Sequence, residues 1–133
     1  MKTRAIVFQK ENLKRCSREK KMARLLEQLE KNTQLDKVIY KHDLMPEEEL
    51  TAEQVWEYSD KLAFYLNETY KEDKSPIVVY GHKHPFMIVY FLACVKSGRA
   101  FCPVDVNTPI DRVRDIVATV KSPIVLVSEE IEL

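Results

Sequence analysis

The chain has 133 residues, of which 45% are hydrophobic, so it is long enough to form one domain with a buried core or part of a larger domain. Its formal net charge is zero and no apolar stretch is long enough to cross a bilayer, so we expect no insertion into a membrane. The three cysteines, Cys16, Cys94 and Cys102, have no metal-binding spacing, and Cys94 and Cys102 are expected to be core thiols, which fits a reducing, cytoplasmic compartment.

The charge is distributed unevenly along the chain. Residues 1–24 contain nine lysines and arginines against Glu11 and Glu19, a net charge of +7, so the remainder carries −7. A basic arm can bind nucleic acid or a membrane surface, but Phe8 is its only aromatic residue and no nucleic-acid motif follows it. We therefore predict a disordered basic extension over residues 1–21, a folded region over residues 22–133, and no nucleic-acid partner.

The first elements are predicted from apolar spacing. One helical face comprises Met22, Leu25, Leu26 and Leu29, which predicts a helix from about residue 18 to residue 32 with Ser17 as its N-cap. The apolar residues that follow predict a short strand over residues 37–40. Residues 41–50, which include three consecutive glutamates, are expected to form a solvated loop.

A second helix is predicted to begin at Thr51. Thr51 and Gln54 have the spacing of a capping box, in which each side chain accepts a hydrogen bond from an amide at the helix start. The apolar stripe of this helix comprises Val55, Tyr58, Leu62 and Leu66, widened by Trp56, Ala63 and Phe64.

The central stretch is predicted to form a strand, a helix and a second strand. Residues 77–80 are apolar and mostly β-branched, as in a strand that is buried on both faces. Pro85 fits the first turn of the next helix and Gly98 fits the position just past its end. The helix between them is apolar on all sides, so we expect burial against both the sheet and another helix. A strand over residues 100–104 follows, parallel to the first.

The last elements repeat this pattern. Thr108 is predicted to cap a helix with Pro109 in its first turn and Asp111 near the positive end of the helix dipole. A buried strand over residues 124–127 follows it. The predicted fold class is therefore α/β, a partial three-layer arrangement with a mainly parallel sheet, in which two helices precede a β-α-β-α-β core.

Ligands of such sheets gather beyond the carboxyl ends of the strands, where His82, His84 and Asp105 are expected. The two histidines could bind a metal or exchange protons, but no third ligand has a recognisable spacing, so a metal site is disfavoured. Asp105 could be a site carboxylate, although a role in forming the turn is favoured. Gly81 and Gly98 are the only glycines, which is too few for a phosphate-binding loop.

Residues 95–105 resemble a core motif of the adenylate-forming enzymes, Leu-Lys-Ala-Gly-(any)-Ala-Tyr-(any)-Pro-(Ile/Leu/Val)-Asp. The matching positions, for which the resemblance implies a structural role, are Lys96, Gly98, Ala100, Pro103 and Asp105. Within this superfamily, residues 25–31, 75–82 and 91–96 are similar to the D-alanine–D-alanyl carrier protein ligases, as is Pro109 with Arg112. The resemblance implies the opening part of an adenylate-forming large domain.

The resemblance also implies a function. These ligases use ATP and magnesium to activate D-alanine, and they pass it to the phosphopantetheine thiol of a carrier protein for teichoic acid synthesis. The family's ATP loop and catalytic lysine have no matching position here, so the chain is expected to carry no catalytic residue, to bind no cofactor alone and to need the rest of the enzyme. The alternative is a non-catalytic fragment that docks on a partner through an exposed sheet edge and the apolar helix.

Overall fold

The computed structural model describes residues 4–7, 24–41 and 49–133. Its strands are β1 (Arg4–Val7), β2 (Val38–Tyr40), β3 (Leu50–Thr51), β4 (Ile77–Tyr80), β5 (Phe101–Val104) and β6 (Ile124–Val127). Its helices are α1 (Arg24–Asn32), α2 (Ala52–Thr69), α3 (Phe86–Lys96) and α4 (Ile110–Val120).

Four parallel strands form the main sheet, in the order β1-β6-β4-β5. β4 lies between β6 and β5, and its Val78 is opposite both Val125 and Cys102. Neighbouring strands pair with both edges of β4 and helices cover both of its faces, so Ile77, Val78 and Val79 are fully buried. β2 and β3 form a separate antiparallel pair.

Helices cover both faces of the main sheet, so the predicted three-layer α/β fold is confirmed. Alternate strand residues point to opposite faces, and each face has its own core. On one face, α2 and α3 pack on Ile77, Val79, Ile124 and Leu126. On the other face, Val113 and Val117 of α4 pack on the alternate strand residues, which are Val78, Val104, Val125 and Val127.

The boundaries of α3 and its two buried sides agree with the sequence prediction. The helix begins directly after Pro85, and Gly98 takes a positive φ of 71° just beyond its end. Buried residues of α3 contact both the sheet and α2. The predicted burial against both the sheet and another helix is therefore confirmed, while Phe91 and Val95, on a further side of the helix, are 47% and 36% exposed.

Cys94 of the same helix is fully buried, and burial raises the pKa of its thiol to about 12. The expected core role of this cysteine is confirmed. Cys102 is half-buried in β5.

The capping box of α2 is present, because Thr51 Oγ1 accepts from Gln54 N at 3.2 Å and Gln54 Oε1 accepts from Thr51 N at 2.9 Å. Phe64 was expected to widen the buried stripe, but it is 46% exposed. The reason is geometric: Phe64 lies two residues from both Leu62 and Leu66, and two residues place a side chain roughly 200° around a helix.

The start of α4 also differs from the prediction. Pro109, with an extended ψ of 138°, is the N-cap residue, and no side chain caps the helix. Thr108 therefore lies one position too early to cap α4, and its backbone N–H donates to Asp105 O at 3.0 Å in the preceding turn. Asp111 does lie in the first turn, as expected.

The sequence analysis predicted no strand near the amino end. Within the extension predicted over residues 1–21, Arg4–Val7 forms β1, which pairs in register with Ile124–Val127. The expectation of disorder is wrong for these four residues, because they complete the hydrogen bonds of the β6 edge. The rest of the predicted extension, including Ser17, lies outside the described residues. Leu50, placed in a loop by the sequence, begins β3.

No helix among residues 24–41 and 49–133 has the length and apolar character needed to cross a membrane.

Two adjacent α3 residues test which side of the helix faces the core. Leu92 is 8% exposed and Phe91 is 47% exposed. Leu92→Asp buries an unpaired charge and should lower the free energy of unfolding by about 3 kcal/mol or more. The matched control Phe91→Asp should lower it by less than about 1 kcal/mol. Urea unfolding followed by circular dichroism measures both changes, and equal losses for the two variants would show that α3 is rotated from its described position.

Candidate functional site

The carboxyl ends of β4 and β5 lie at the same edge of the sheet, where residues 81–84 and 105–107 form two neighbouring loops. A Cβ at Gly81 would lie 2.2 Å from Ser128 Oγ and 2.7 Å from Met87 Sδ, so both side chains would have to shift to admit any other residue. Lys83 takes a positive φ of 44°, and its carbonyl accepts a hydrogen bond from the Tyr40 hydroxyl. The loop after β4 is therefore held against β6, α3 and β2.

His82 and Asp105 join the two loops. His82 Nδ1 lies 2.7 Å from Asp105 Oδ2, and both side chains are nearly half exposed. Asp105 Oδ1 accepts from Asn107 N at 2.9 Å and from Asn107 Nδ2 at 2.7 Å. The Asn107 backbone amide is the main cause that holds the pKa of Asp105 below its usual range, followed by the Asn107 side chain and then by His82. Asp105 thus forms the turn, as predicted, and also pairs with a histidine.

His84 has a different role. Its Nδ1 accepts from Phe86 N at 3.1 Å at the start of α3, and its ring lies 5.7 Å from that of Phe86. The two histidines therefore make separate contacts. Among residues 24–41 and 49–133, no group of three His, Cys, Asp or Glu side chains is arranged to hold a metal ion, and His42 lies outside the described residues.

Lys96, the first charged residue of the core motif, lies at the opposite end of α3. Its Nζ donates to Asp60 Oδ1 at 2.7 Å and to Ser59 Oγ at 2.8 Å, and it lies 4.1 Å from the centre of the Trp56 ring. The Lys96 side chain is only 4% exposed, so its charge is satisfied within the protein by a carboxylate, a hydroxyl and an aromatic face.

Arg99 is a second buried cation of the motif, and sequence reasoning did not identify it. Its Nη2 donates to Leu66 O at 3.1 Å and to Tyr70 O at 3.0 Å, and its Nε donates to Asp73 O at 3.2 Å. Burial lowers the pKa of the guanidinium. Arg99 therefore supplies donors to carbonyls at and beyond the carboxyl end of α2. It stands at the unrestricted position of the motif, so the motif gives no signal for it.

The remaining motif residues run along β5 from its amino end to its carboxyl end. Gly98 turns the chain, and Ala100 O accepts from Ile77 N at 2.9 Å where the ladder begins. Gly81 N donates to Val104 O at 3.1 Å at the other end of the ladder. Since alternate residues bond to a parallel neighbour, Pro103 turns its backbone nitrogen away from β4, where the missing N–H costs no ladder bond.

The motif therefore does not form one site. Lys96 and Arg99 lie near the amino edge of the sheet, where they fix α2 to α3, whereas Asp105 lies at the carboxyl edge beside His82. The arrangement joins secondary-structure elements, and its cations are already bonded to protein acceptors.

Known proteins share this arrangement of sequence and fold. A family model described as AMP-binding enzyme matches residues 25–133. The chain is 44% identical over 82 residues to a D-alanine–D-alanyl carrier protein ligase of Bacillus mycoides (strain KBAB4), covering 62% of this chain and 16% of that protein. It is 51% identical over 67 residues to the ligase of the same name from Bacillus cereus (strain G9842), covering 50% and 13%. The chain thus spans about one sixth of the length of these curated relatives.

Solved structures support the fold. The N-terminal subdomain of Klebsiella oxytoca NpsA matches with a TM-score of 0.66 and 16% identity, over 82% of this chain and 28% of that one. A four-domain nonribosomal peptide synthetase, holo-AB3403 bound to AMP and glycine, matches with a TM-score of 0.62 and 15% identity, over 79% and 8%. The fold is therefore that of the opening part of an adenylation domain.

The buried ion pair can be tested by removing its cation. Lys96→Met removes the ion pair with the Asp60 carboxylate, which is 29% exposed, and should lower the free energy of unfolding by about 2 kcal/mol. Arg114→Met removes the exposed pair with Asp111 and should change it by less than about 0.5 kcal/mol. Thermal and urea unfolding measure both, and a Lys96→Met variant as stable as the parent would contradict the structural role of this lysine.

The Asp105 turn predicts a pH dependence. Because the pKa of Asp105 is lowered in the folded protein, its stabilisation is fully present above the unfolded value of about 4 and is lost as the pH falls through the folded value. Asp105→Asn should therefore flatten the loss of melting temperature below about pH 4. Asp111→Asn, which removes an exposed carboxylate of α4, is the matched control. Parallel curves for the parent chain and Asp105→Asn would show that the Asn107 contacts do not hold the carboxylate.

Proposed function

The chain belongs to the AMP-binding enzyme family, and on that premise we propose that it forms the opening, structural part of a cytoplasmic ligase that activates D-alanine for a carrier protein. The ligase as a whole would use ATP and magnesium to form D-alanyl adenylate, and would transfer the D-alanyl group to a phosphopantetheine thiol. Its product would supply D-alanine for teichoic acids. The similarity to ligases that carry this name supports the choice of substrate and partner.

The main support for a structural role is that both cations of the motif already bond to acceptors within the protein. Lys96 is bonded to Asp60 and Ser59, and Arg99 is bonded to the carbonyls of Leu66 and Tyr70. Catalysis of adenylation needs cations and amides directed at phosphate oxygens as charge develops there. These two cations are buried and directed at protein oxygens, so they support a framework role.

The described residues do not fit an ATP–magnesium site. The loops at the carboxyl ends of β4 and β5 contain one glycine, Gly81, and its amide donates to Val104 O. A phosphate-binding loop instead presents several free amides to its ligand. The 133 residues alone are therefore proposed to be inactive, and adenylation to require the remainder of the ligase.

Pyrophosphate exchange tests the proposed activity. The isolated chain should show no D-alanine-dependent exchange of labelled pyrophosphate into ATP. A hybrid ligase, in which this chain replaces the matching opening part of the Bacillus mycoides ligase, should show exchange with D-alanine well above that with L-alanine. Exchange by the isolated chain that persists through further purification would refute its structural role. A folded hybrid ligase that is inactive with D-alanine would refute the assignment to a D-alanine ligase.

A further inference from the structure

One side of α3 presents an exposed apolar surface, which we call the α3 face. It consists of Ile88, Phe91 and Val95, spaced three and four residues apart on one side of the helix, together with Phe101 of β5. Phe91 is 47% exposed and Val95 is 36% exposed, whereas Ile88 and Phe101 are half-buried against the core. The rings of Phe91 and Phe101 meet edge to face with centres 5.4 Å apart, so the helix and the strand form one continuous surface.

The α3 face carries no charge of its own. Residues 86–95 include no acidic or basic side chain, and Lys96, which follows them, is buried against Trp56 and Asp60. A nucleic acid, an anionic lipid or a charged peptide would find no complementary group there. The occupant that this chemistry fits is another apolar protein surface.

The neighbouring edge of the sheet restricts how that occupant binds. β5 is the last strand on this side among the residues that the structure describes. The backbone groups of Phe101 and Pro103 face away from β4, because the alternate residues bond to it: Ala100 O accepts from Ile77 N and Val104 O accepts from Gly81 N. Pro103 has no N–H to offer to a further strand. The edge therefore lacks one of the donors that strand addition at β5 would use, which favours an occupant that packs on side chains.

We propose that the α3 face is the surface on which a later, apolar segment of the same adenylate-forming ligase packs. This inference rests on the proposed function. It is favoured by length, because the chain spans 16% of its curated relative and 28% of the NpsA subdomain, so most of such a ligase is available to cover the surface. The character of the face agrees, since an uncharged helix side with two aromatic rings in edge-to-face contact is typical of a domain interior.

The hybrid ligase provides the test. A single cysteine introduced as Phe91→Cys is treated with a neutral maleimide, in the isolated chain and in the hybrid ligase, and labelling is followed by peptide mass spectrometry. The rate should fall at least about tenfold in the hybrid ligase, because reagent reaches a packed surface only when the protein opens. Glu53→Cys, at an exposed position on α2, is the matched control and should label at similar rates in both proteins.

Equal labelling of Phe91→Cys in the isolated chain and the hybrid ligase would overturn the proposal. So would concentration-dependent protection in the isolated chain with a matching dimer in sedimentation, since a second copy would then occupy the face. If the hybrid ligase does not fold, the chain is coexpressed with the rest of the Bacillus mycoides ligase. Capture of the parent chain but not of Phe91→Ser supports the proposal, and failure to capture the parent chain overturns it.

Exchange activity separates this inference from the proposed function. A hybrid ligase with a protected residue 91 but no D-alanine-dependent exchange would retain the docking surface and refute the D-alanine assignment. An active hybrid ligase with a freely labelled residue 91 would support the D-alanine assignment and refute the docking surface.

Discussion

The guanidinium of Arg99 meets a requirement that the rest of the fold depends on. A helix leaves its last carbonyls without intrahelical donors, and a buried arginine has five N–H groups that must find acceptors. Arg99 donates to the carbonyl of Tyr70 at the end of α2 and to that of Asp73 beyond it, and also to the carbonyl of Leu66, which already accepts from the Tyr70 amide. Arg99 lies in the turn between α3 and β5, so this contact holds the end of α2 at the point where the chain enters the sheet. Lys96, one turn earlier, holds the middle of α2 through Asp60.

The two faces of the sheet differ in how they are held. On the α2–α3 face, buried polar contacts from Lys96 and Arg99 supplement a large apolar core. The α4 face depends on a smaller cluster made mostly of valines, to which Val113 and Val117 contribute directly. Polar contacts are directional, whereas valine packing is less so. The polar contacts therefore restrict the orientation of α2 and α3 on the sheet more than valine packing restricts that of α4.

Local signals made much of this fold predictable. The capping box of Thr51 and Gln54 involves residues three apart, and Pro85 and Gly98 bound α3 through their own backbone preferences. Features that depend on distant residues were missed. β1 is defined by its pairing with β6, about 120 residues away, and Arg99 by acceptors about 30 residues earlier in the chain. At the candidate site, the sequence placed His82 and Asp105 at the carboxyl ends of two parallel strands, but it did not predict that their side chains pair at 2.7 Å.

The buried thiol of Cys94 has a consequence for oxidation chemistry. A thiol whose pKa is about 12 is almost entirely protonated at neutral pH, and the thiolate is the form that reacts with peroxides and disulfides. Cys94 also lies on the buried side of α3, so oxidants can reach it only after the helix separates from the sheet and from α2. Oxidised Cys94 would therefore be found in molecules that had already opened. Its oxidation would be a consequence of unfolding and not a means of regulating the folded protein.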